Sequence, residues 1–236
     1  MAPNGSTPIV DRQFISFPKS GRTWLRYALA ALRVADQVCF HHDGFEYNDG
    51  TKPALDFTYS KQLEKRVGDR RIVYLHRDPR DVMVSLFHQV TGRFSDFFNF
   101  DGTISEFLRD PYFGAYNLQR YRRHWAALCD DGLALPISYE ACHADFKGVL
   151  STVVAHYAFE IEEGSLIAAA KLADFESMKV VERSGKFDEP WLRLRNAAPK
   201  VRRGMIGGYR DELTSADIDY LDTIFFPEGS PRGQES

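Results

Sequence analysis

Residues 13–24 decide the fold; they read Gln-Phe-Ile-Ser-Phe-Pro-Lys-Ser-Gly-Arg-Thr-Trp. The apolar residues among 13–17 predict a strand, and residues 18–21 predict a turn, because Pro and Gly interrupt helices and strands alike. A helix should follow, since apolar residues recur at helical spacing from Trp24 to Ala35. The chain therefore opens with a strand, a glycine-containing turn and a helix.

Two further strands are each followed by a helix. Residues 71–75 are almost wholly apolar, which is typical of a buried parallel strand, and Asp78 followed by Pro79 is a helix-start signal. Residues 133–138 predict the third strand. Three strand-to-helix units predict an α/β fold: a single domain with a mainly parallel central sheet flanked by helices.

The rest of the chain gives weaker signals. Residues 39–59 and 91–103 have no clear period and are expected to be loops, residues 183–209 are expected to be irregular, and a short helix is expected over 61–67. Other helices are expected over the following ranges: 118–128, 143–157, 164–172 and 214–225.

Length and composition restrict the class of protein. The 236 residues suit one domain, expected over 13–226, with a flexible lead-in over 1–12 and a flexible tail over 227–236. With 44% hydrophobic residues, bulk disorder is excluded. The net charge of −3 disfavours general nucleic-acid binding. No apolar run reaches the roughly 20 residues of a membrane helix, and no secretory signal is visible, so we expect neither a membrane partner nor secretion.

The three cysteines agree with that expectation. They are odd in number and form no CxxC pair, which favours reduced thiols in a cytoplasmic protein.

The turn over 18–23 has the residues of an anion-binding loop. A helix N-terminus presents free backbone N–H groups and the positive end of its dipole. Gly21 allows close approach of a ligand, Lys19 adds a charge, and Ser20 and Thr23 add hydroxyl donors. The spacing is not that of the Walker-type phosphate loop, and a plain strand-to-helix turn with a surface lysine is the alternative.

Two other segments could hold a second anion. Arg77 lies just past the second strand, and Ser85 lies two turns into the next helix, so both could reach one phosphate. The alternative there is a helix cap with solvated charges. Arg202, Arg203 and Gly204 begin a glycine-rich stretch, which is typical of an anion clamp and also of loops that are simply flexible.

Taken together, the three segments resemble those of the cytosolic-type sulfotransferases that use 3′-phosphoadenosine 5′-phosphosulfate (PAPS). The family patterns are close to YPKSGTTW, a strand followed by Arg, Asn/Asp-Pro, Lys/Arg-Asp and V-x-x-S, and RKGxxGDWKxxFT. This chain has FPKSGRTW, LHRDPRDVMVS and RRGMIGGYRDELT, in the same order over residues 13–225. The resemblance implies a P-loop-like nucleotide-binding fold and a compact, bacterial type of member.

The resemblance also implies roles by position. Lys19 would stabilise the leaving phosphate, and Ser20, Gly21 and Thr23 would cradle the 5′-phosphate. Arg22 replaces a family Thr in this loop and could contact the nucleotide or the acceptor, or point to solvent. Trp24 would stack on the adenine or serve as a core aromatic. The 3′-phosphate would be held by Arg77, Ser85, Arg202, Arg203 and Gly204. Tyr139 and Phe175 match family positions near the nucleotide, although Ala173 replaces a family Thr there.

The acceptor needs a base, which the family takes from a His between the first two motifs. The candidates are His41 and His42, of which His42 is favoured because His-Asp-Gly resembles the bacterial version of this loop. The remaining alternative is that neither is catalytic and both are ordinary surface residues. No metal ion is expected. His76 is expected to be structural, and His88 is expected on the helix surface rather than in the acceptor pocket.

The nature of the acceptor is less defined. Clustered aromatics suit a phenol or alcohol, but they could equally be lid packing, and a carbohydrate acceptor stays open. They are Phe45, Tyr47, Phe57, Tyr59, Phe94, Phe97, Phe98, Phe100, Tyr112 and Phe113. Two other functions are kept: a nucleotide-dependent phosphotransferase and a non-catalytic nucleotide-binding module. The dimer signature of animal members is degraded, so the oligomeric state stays open.

Overall fold

The sheet consists of four parallel strands in the computed structural model, which describes residues 11–47, 70–184, 195–196 and 204–227. The strand order is β2-β1-β3-β4. The strands are β1 (Asp11–Ser16), β2 (Cys39–His41), β3 (Arg70–His76) and β4 (Leu135–Ser138). The predicted class, a single α/β domain with a parallel sheet flanked by helices, is confirmed.

Nine α-helices lie within the described ranges. They are α1 (Arg22–Ala31), α2 (Pro79–His88), α3 (Ile104–Arg109), α4 (Ala115–Asp130), α5 (Tyr139–Ala144), α6 (Phe146–His156), α7 (Glu163–Leu172), α8 (Phe175–Ser184) and α9 (Ser215–Phe225). A π-helical turn, Gln89–Arg93, continues α2, and short 3-10 turns occupy Ala35–Gln37 and Gly208–Asp211. No described helix has the length and apolar character that a membrane crossing requires.

Both faces of the sheet are covered, which explains why the buried parts of its central strands carry apolar residues on both faces. Alternate residues of β1 and β3 point to opposite faces. Phe14 and Val73 join the core cluster that contains α1, α6 and α7, whereas Ile15 and Tyr74 join the cluster that contains α2 and α4.

The strand order places a crevice beside the end of β1. The chain passes from β1 to β2 on one side and then crosses back to β3 on the other side, so β1 lies at the point where the order reverses. Ligands of open α/β sheets bind outside the carboxyl ends of the strands at such a point. The turns after β1 and β3 therefore meet at the same edge, as the sequence predicts.

Several sequence predictions differ from the structure. Residues 39–41 were expected to be loop, but they form β2, whose three residues pair with β1 through the backbone and carry no periodic signal. The helix expected over 143–157 is two helices, α5 and α6, because Asp145 leaves the helical conformation and caps α6 through Gly148 N.

Helices α3 and α8 were not predicted. For α3 a signal was present: Thr103 and Glu106 form a reciprocal capping box at its start. The helix expected over 61–67, and the terminal segments 1–10 and 228–236, lie outside the described residues.

Candidate functional site

The turn between β1 and α1 brings the backbone close to an aromatic ring. Gly21 caps α1 with φ of 101°, a left-handed conformation that favours glycine. A Cβ added there would lie 2.4 Å from Cδ2 of Tyr139, so the ring also excludes any side chain. Lys19 has φ of 71°, which is uncommon for a residue with a side chain. The turn therefore has a constrained backbone conformation, with two positive φ angles and an aromatic ring packed against its glycine.

The N-terminus of α1 has no cap from within the described chain. Gly21 provides no side-chain hydrogen bond, and the first turn contains no acidic residue. By contrast, Asp78 caps α2 by accepting from Arg80 N at 2.9 Å. The first N–H groups of α1 and the positive end of its dipole are therefore suited to an external anion.

Arg77 follows β3 and lies beside this turn. Its Nη1 donates to the Lys19 carbonyl at 3.4 Å, its Nη2 donates to the Met205 carbonyl at 2.9 Å, and its guanidinium lies 4.2 Å from the centroid of the Tyr139 ring. Its Nε is buried and has no partner among the described residues. Arg77 thus joins the first and third segments predicted to bind anions, and it keeps one unused buried donor.

Asp81 holds the glycine-rich segment against Arg77. Its carboxylate accepts from Gly207 N at 2.8 Å and from Tyr209 N at 3.0 Å, and it lies 3.5 Å from Arg77 Nη2. The side chain is 4% exposed, so the alternative interpretation of Asp81 as a solvated charge is wrong. Sequence reasoning missed this role because its partners are backbone groups more than a hundred residues away.

His42 lies at the end of β2, on the other side of β1. Its Nδ1 is 2.6 Å from the Ser16 carbonyl oxygen. A carbonyl can only accept, so Nδ1 carries the proton, and a neutral ring then has its lone pair on Nε2. The backbone N–H of His42 donates to Oε1 of Glu46 at 2.7 Å, which fixes the loop that carries the ring.

His41 has the opposite arrangement. Its Nδ1 accepts from Asp43 N at 3.2 Å, so the proton of a neutral ring is on Nε2. The ring nitrogen that could take a proton is therefore already used by the backbone. This geometry favours His42 over His41 as a base.

Arg22 is the first residue of α1 and lies on the same helix face as Arg26, whose guanidinium is 5.1 Å from the ring of Phe40 in β2. Burial lowers its pKa to about 10, opposed by the Glu46 carboxylate, which raises it, and assisted by Arg26, which lowers it further. Its Nη1 is buried and lacks a hydrogen-bond partner within the described chain. The side chain thus lies on the His42 side of the turn, whereas Arg77 lies on the other.

The aromatic residues expected near the nucleotide pack together. Trp24 stacks on Phe146, with ring centroids 4.6 Å apart and planes 6° apart, and meets the edges of Tyr139 and His143. Trp24 is only 9% exposed, so the core-aromatic role holds in the structure. Burial raises the pKa of Tyr139 to about 12, so its hydroxyl stays protonated at neutral pH.

The remaining predicted residues fall in three groups. Ser20 is buried, whereas Thr23, Ser85 and Gly204 are half-buried, with Ser85 on α2 and Gly204 at φ of 65°. Phe175 begins α8, but its side chain is outside the described part of the structure. Arg202 and Arg203 lie outside the described residues.

The two other histidines have structural surroundings. Burial, with a smaller contribution from the charge of Arg122, lowers the pKa of His76 to about 4. His88 is at the last position of α2 and contacts the Glu212 carboxylate. Both observations agree with the roles expected from the sequence.

Most of the aromatic cluster considered for the acceptor is core. Phe45, Tyr47, Phe98 and Phe113 are at most 7% exposed and pack against one another: Phe98 meets Phe113 edge to face, and Tyr47 contacts Phe45 and Phe113 with tilted rings. Only Phe97, at 48%, is largely exposed among the cluster members that the structure describes. Phe57 and Tyr59 lie outside those residues. The packing alternative therefore accounts for most of the cluster.

A comparison with protein families decides the classification. Residues 11–228 match the model of the sulfotransferase domain, which is nearly the whole chain. The chain belongs to the sulfotransferase family. This confirms the resemblance to PAPS-dependent sulfotransferases that the three segments indicate.

Distant relatives of this sulfotransferase extend over most of its length. Human Sulfotransferase 2B1 is 25% identical over 243 positions, covering 91% of this chain and 65% of the human protein. The rabbit amine sulfotransferase is 22% identical, covering 91% of this chain and 79% of that protein. The chain thus spans slightly less than two thirds of the human relative.

Solved structures show the same fold. Mouse sulfotransferase SULT7A1 complexed with PAP superposes with a TM-score of 0.67 at 18% identity, covering 94% of this chain and 85% of that one. Retinol dehydratase in complex with androsterone and inactive cofactor PAP superposes with a TM-score of 0.63 at 16% identity, covering 92% of this chain and 79% of that one. The sulfotransferase fold, with its P-loop-like core, is therefore confirmed.

The geometry generates a prediction for Asp81. In Asp81→Asn one oxygen is replaced by an amide that cannot accept, so the glycine-rich segment and Arg77 lose alignment. We expect the affinity for 3′-phosphoadenosine 5′-phosphate (PAP) to fall about tenfold or more, and the affinity for AMP to fall less, since only PAP has the 3′-phosphate. Calorimetric titration of both nucleotides measures this.

Asp222→Asn is the matched control for this experiment. Asp222, on α9, forms a partly exposed ion pair at 3.0 Å with Arg80, which precedes Asp81 on α2. Its loss should leave both affinities within about twofold, because exposed ion pairs contribute little. Equal losses of PAP and AMP binding in Asp81→Asn would contradict a role at the 3′-phosphate.

Proposed function

We propose that this chain transfers a sulfuryl group from PAPS to a hydroxyl, or an amine, of a small phenolic or alcoholic acceptor. The observation that carries the proposal is that two side chains from different sides bind the backbone that runs from the end of β1 into the following turn. Arg77 donates to the Lys19 carbonyl, and His42 donates to the Ser16 carbonyl. An anion-binding arginine and a candidate base therefore stand on either side of Lys19.

The residues present fit the nucleotide. The buried Nε of Arg77 has no partner among the described residues, and the uncapped N-terminus of α1 offers further donors. Phosphate oxygens are acceptors that match both groups. Ser20, Gly21, Thr23 and the backbone N–H of Arg22 would form the 5′-phosphate cradle. Arg77, Ser85, Gly204 and the paired Arg202 and Arg203 would hold the 3′-phosphate. Trp24, Tyr139 and Phe175 would lie by the adenine.

PAPS supplies a sulfuryl group on a phosphosulfate linkage that breaks in an in-line displacement. Lys19 stabilises the negative charge that develops on the departing phosphate oxygen, without a metal ion. His42 takes the acceptor proton at Nε2, and its Nδ1–H stays bound to Ser16. The turn holds both groups in position, which reduces the entropy cost of reaction.

The alternative functions differ from the proposed one either in the ligand that the protein binds or in whether it turns over a substrate. A nucleotide-dependent phosphotransferase would bind ATP with magnesium, and a non-catalytic module would bind nucleotide without turnover. A carbohydrate hydroxyl in place of a phenol changes only the acceptor, and the packing of the aromatic cluster weakens the argument for a phenol. We also propose that the protein works in the cytoplasm, with no nucleic-acid or membrane partner.

The direct test is calorimetric titration of PAP, AMP and ATP with EDTA present, repeated for ATP with magnesium in place of EDTA. We expect micromolar binding of PAP and much weaker binding of AMP and ATP, because only PAP fills both phosphate sites. ATP binding that equals PAP binding and requires magnesium would replace this proposal with the phosphotransferase.

Lys19→Ala tests the charge-stabilising role. We expect kcat to fall by a factor of about 100 or more, with a smaller loss of PAP affinity, because the lysine acts mainly on charge that develops during reaction. Lys147→Ala removes a surface lysine paired with Glu163 and is the control. An unchanged kcat in Lys19→Ala would rule out the assigned role.

His42→Ala and His41→Ala, compared on two acceptors, test the base. His42→Ala should lower kcat by about 100-fold on an aliphatic alcohol and by much less on 4-nitrophenol, which needs less help to lose its proton. His41→Ala should have the smaller effect on the alcohol. Equal losses on both acceptors, or a larger loss from His41→Ala, would count against His42 as the base.

A further inference from the structure

Arg22 has a hydrogen-bonding capacity that the described chain leaves unused. Its Nη1 is fully buried and has no partner there. Arg22 is the first residue of α1, directly after the turn that contains Lys19. A buried donor without an acceptor is costly, and native proteins usually satisfy such groups with protein, water or a ligand.

The surroundings of Arg22 place it away from the nucleotide side. Arg26, one turn further along the same face of α1, has its guanidinium 5.1 Å from the ring of Phe40 in β2, so this face of α1 is turned toward β2. The Glu46 carboxylate, just beyond β2, also raises the pKa of Arg22. Arg77 follows β3, and β2 and β3 lie on opposite sides of β1. The Arg22 guanidinium therefore lies on the side of His42, where the acceptor must approach.

The charge of Arg22 persists despite burial. Although burial lowers its pKa to about 10, the group stays protonated at neutral pH, with Glu46 opposing the shift. Glu46 also accepts the backbone N–H of His42 at 2.7 Å. The guanidinium of a second cation, Arg120 on α4, lies 5.6 Å from the centroid of the Phe45 ring, and Phe45 directly precedes Glu46. Two guanidinium groups thus face the loop that carries the candidate base.

We infer that Arg22 binds an anionic oxygen group of the acceptor, so that the acceptor is a hydroxy compound that also carries a carboxylate or a similar anion. Guanidinium groups recognise such oxygens by charge-assisted hydrogen bonds. This inference rests on the proposed function and names its substrate class. The oxygens of the sulfuryl group have the same chemistry, so the test must separate the two sources.

The test compares benzoate with benzamide, which share a ring and a shape and differ in charge. Each is titrated into the protein saturated with PAP. We expect benzoate to bind about tenfold more tightly, the size of one charge-assisted hydrogen bond, and Arg22→Gln to abolish this preference. Arg22→Thr introduces the residue found in the resembling family and serves as a second variant should Arg22→Gln not fold.

Arg26→Gln is the matched control. It removes the same charge one turn along α1, where the guanidinium lies 5.1 Å from the ring of Phe40. It should keep the preference for benzoate. Inorganic sulfate, titrated into the same PAP complex, reports on the sulfuryl position, and its binding should change less than that of benzoate in the Arg22 variants.

Several results would overturn the inference. The first is that the wild-type protein binds benzoate no more tightly than benzamide. The second is that both Arg22 variants keep the preference for benzoate. The third is that the Arg22 variants weaken the binding of sulfate but not that of benzoate. A failure of PAP to bind would instead contradict the proposed function. The benzoate and benzamide titrations are then made on the protein without nucleotide, and they still decide what Arg22 binds.

Discussion

Two backbone carbonyl groups, one at the end of β1 and one in the turn that follows, hold the candidate site together. The Ser16 carbonyl accepts from His42, and the Lys19 carbonyl accepts from Arg77. After Ser16 the backbone leaves regular structure, because Lys19 and Gly21 adopt positive φ angles. The ring of Tyr139 packs against Gly21 and prevents any larger residue. The side chains proposed to act in sulfuryl transfer therefore either belong to this short backbone segment, as Lys19 does, or donate hydrogen bonds to it, as His42 and Arg77 do.

Charge balance explains the arrangement around that segment. Basic side chains are gathered where parallel strands end, and only a few acids accompany them. Asp81 lies beside Arg77, and Glu46 lies near Arg22. Each acid also accepts backbone N–H groups, which fixes a loop as well as a charge. The acids therefore position the cations without occupying all of their N–H donors. Arg77 Nε and Arg22 Nη1 keep a donor without a partner among the described residues, and these are the two donors proposed to bind anions.

The fold was predictable where local signals were strong. The apolar strands β1 and β3, the Asp78–Pro79 helix start and the glycine turn all have periodicity or residue types that determine structure locally. The short strand β2 was not predictable, because its pairing with β1 uses backbone groups that every sequence has. The function of Asp81 was hidden for the same reason, since its partners are the N–H groups of Gly207 and Tyr209.

The sequence by itself determined the family and the residue types of the site. Three segments, which contain Lys19, Arg77 and the Arg-Gly stretch, match the family's motifs in the family's order. Each match can be recognised from neighbouring residues in the sequence, without knowledge of the fold. The sequence already favoured His42 over His41 through the resemblance of His-Asp-Gly, whereas only the tertiary structure shows which backbone carbonyl or N–H each ring meets. It also decided that Arg22 faces β2 rather than Arg77. Such directions follow from strand order and packing, which join residues far apart in the chain.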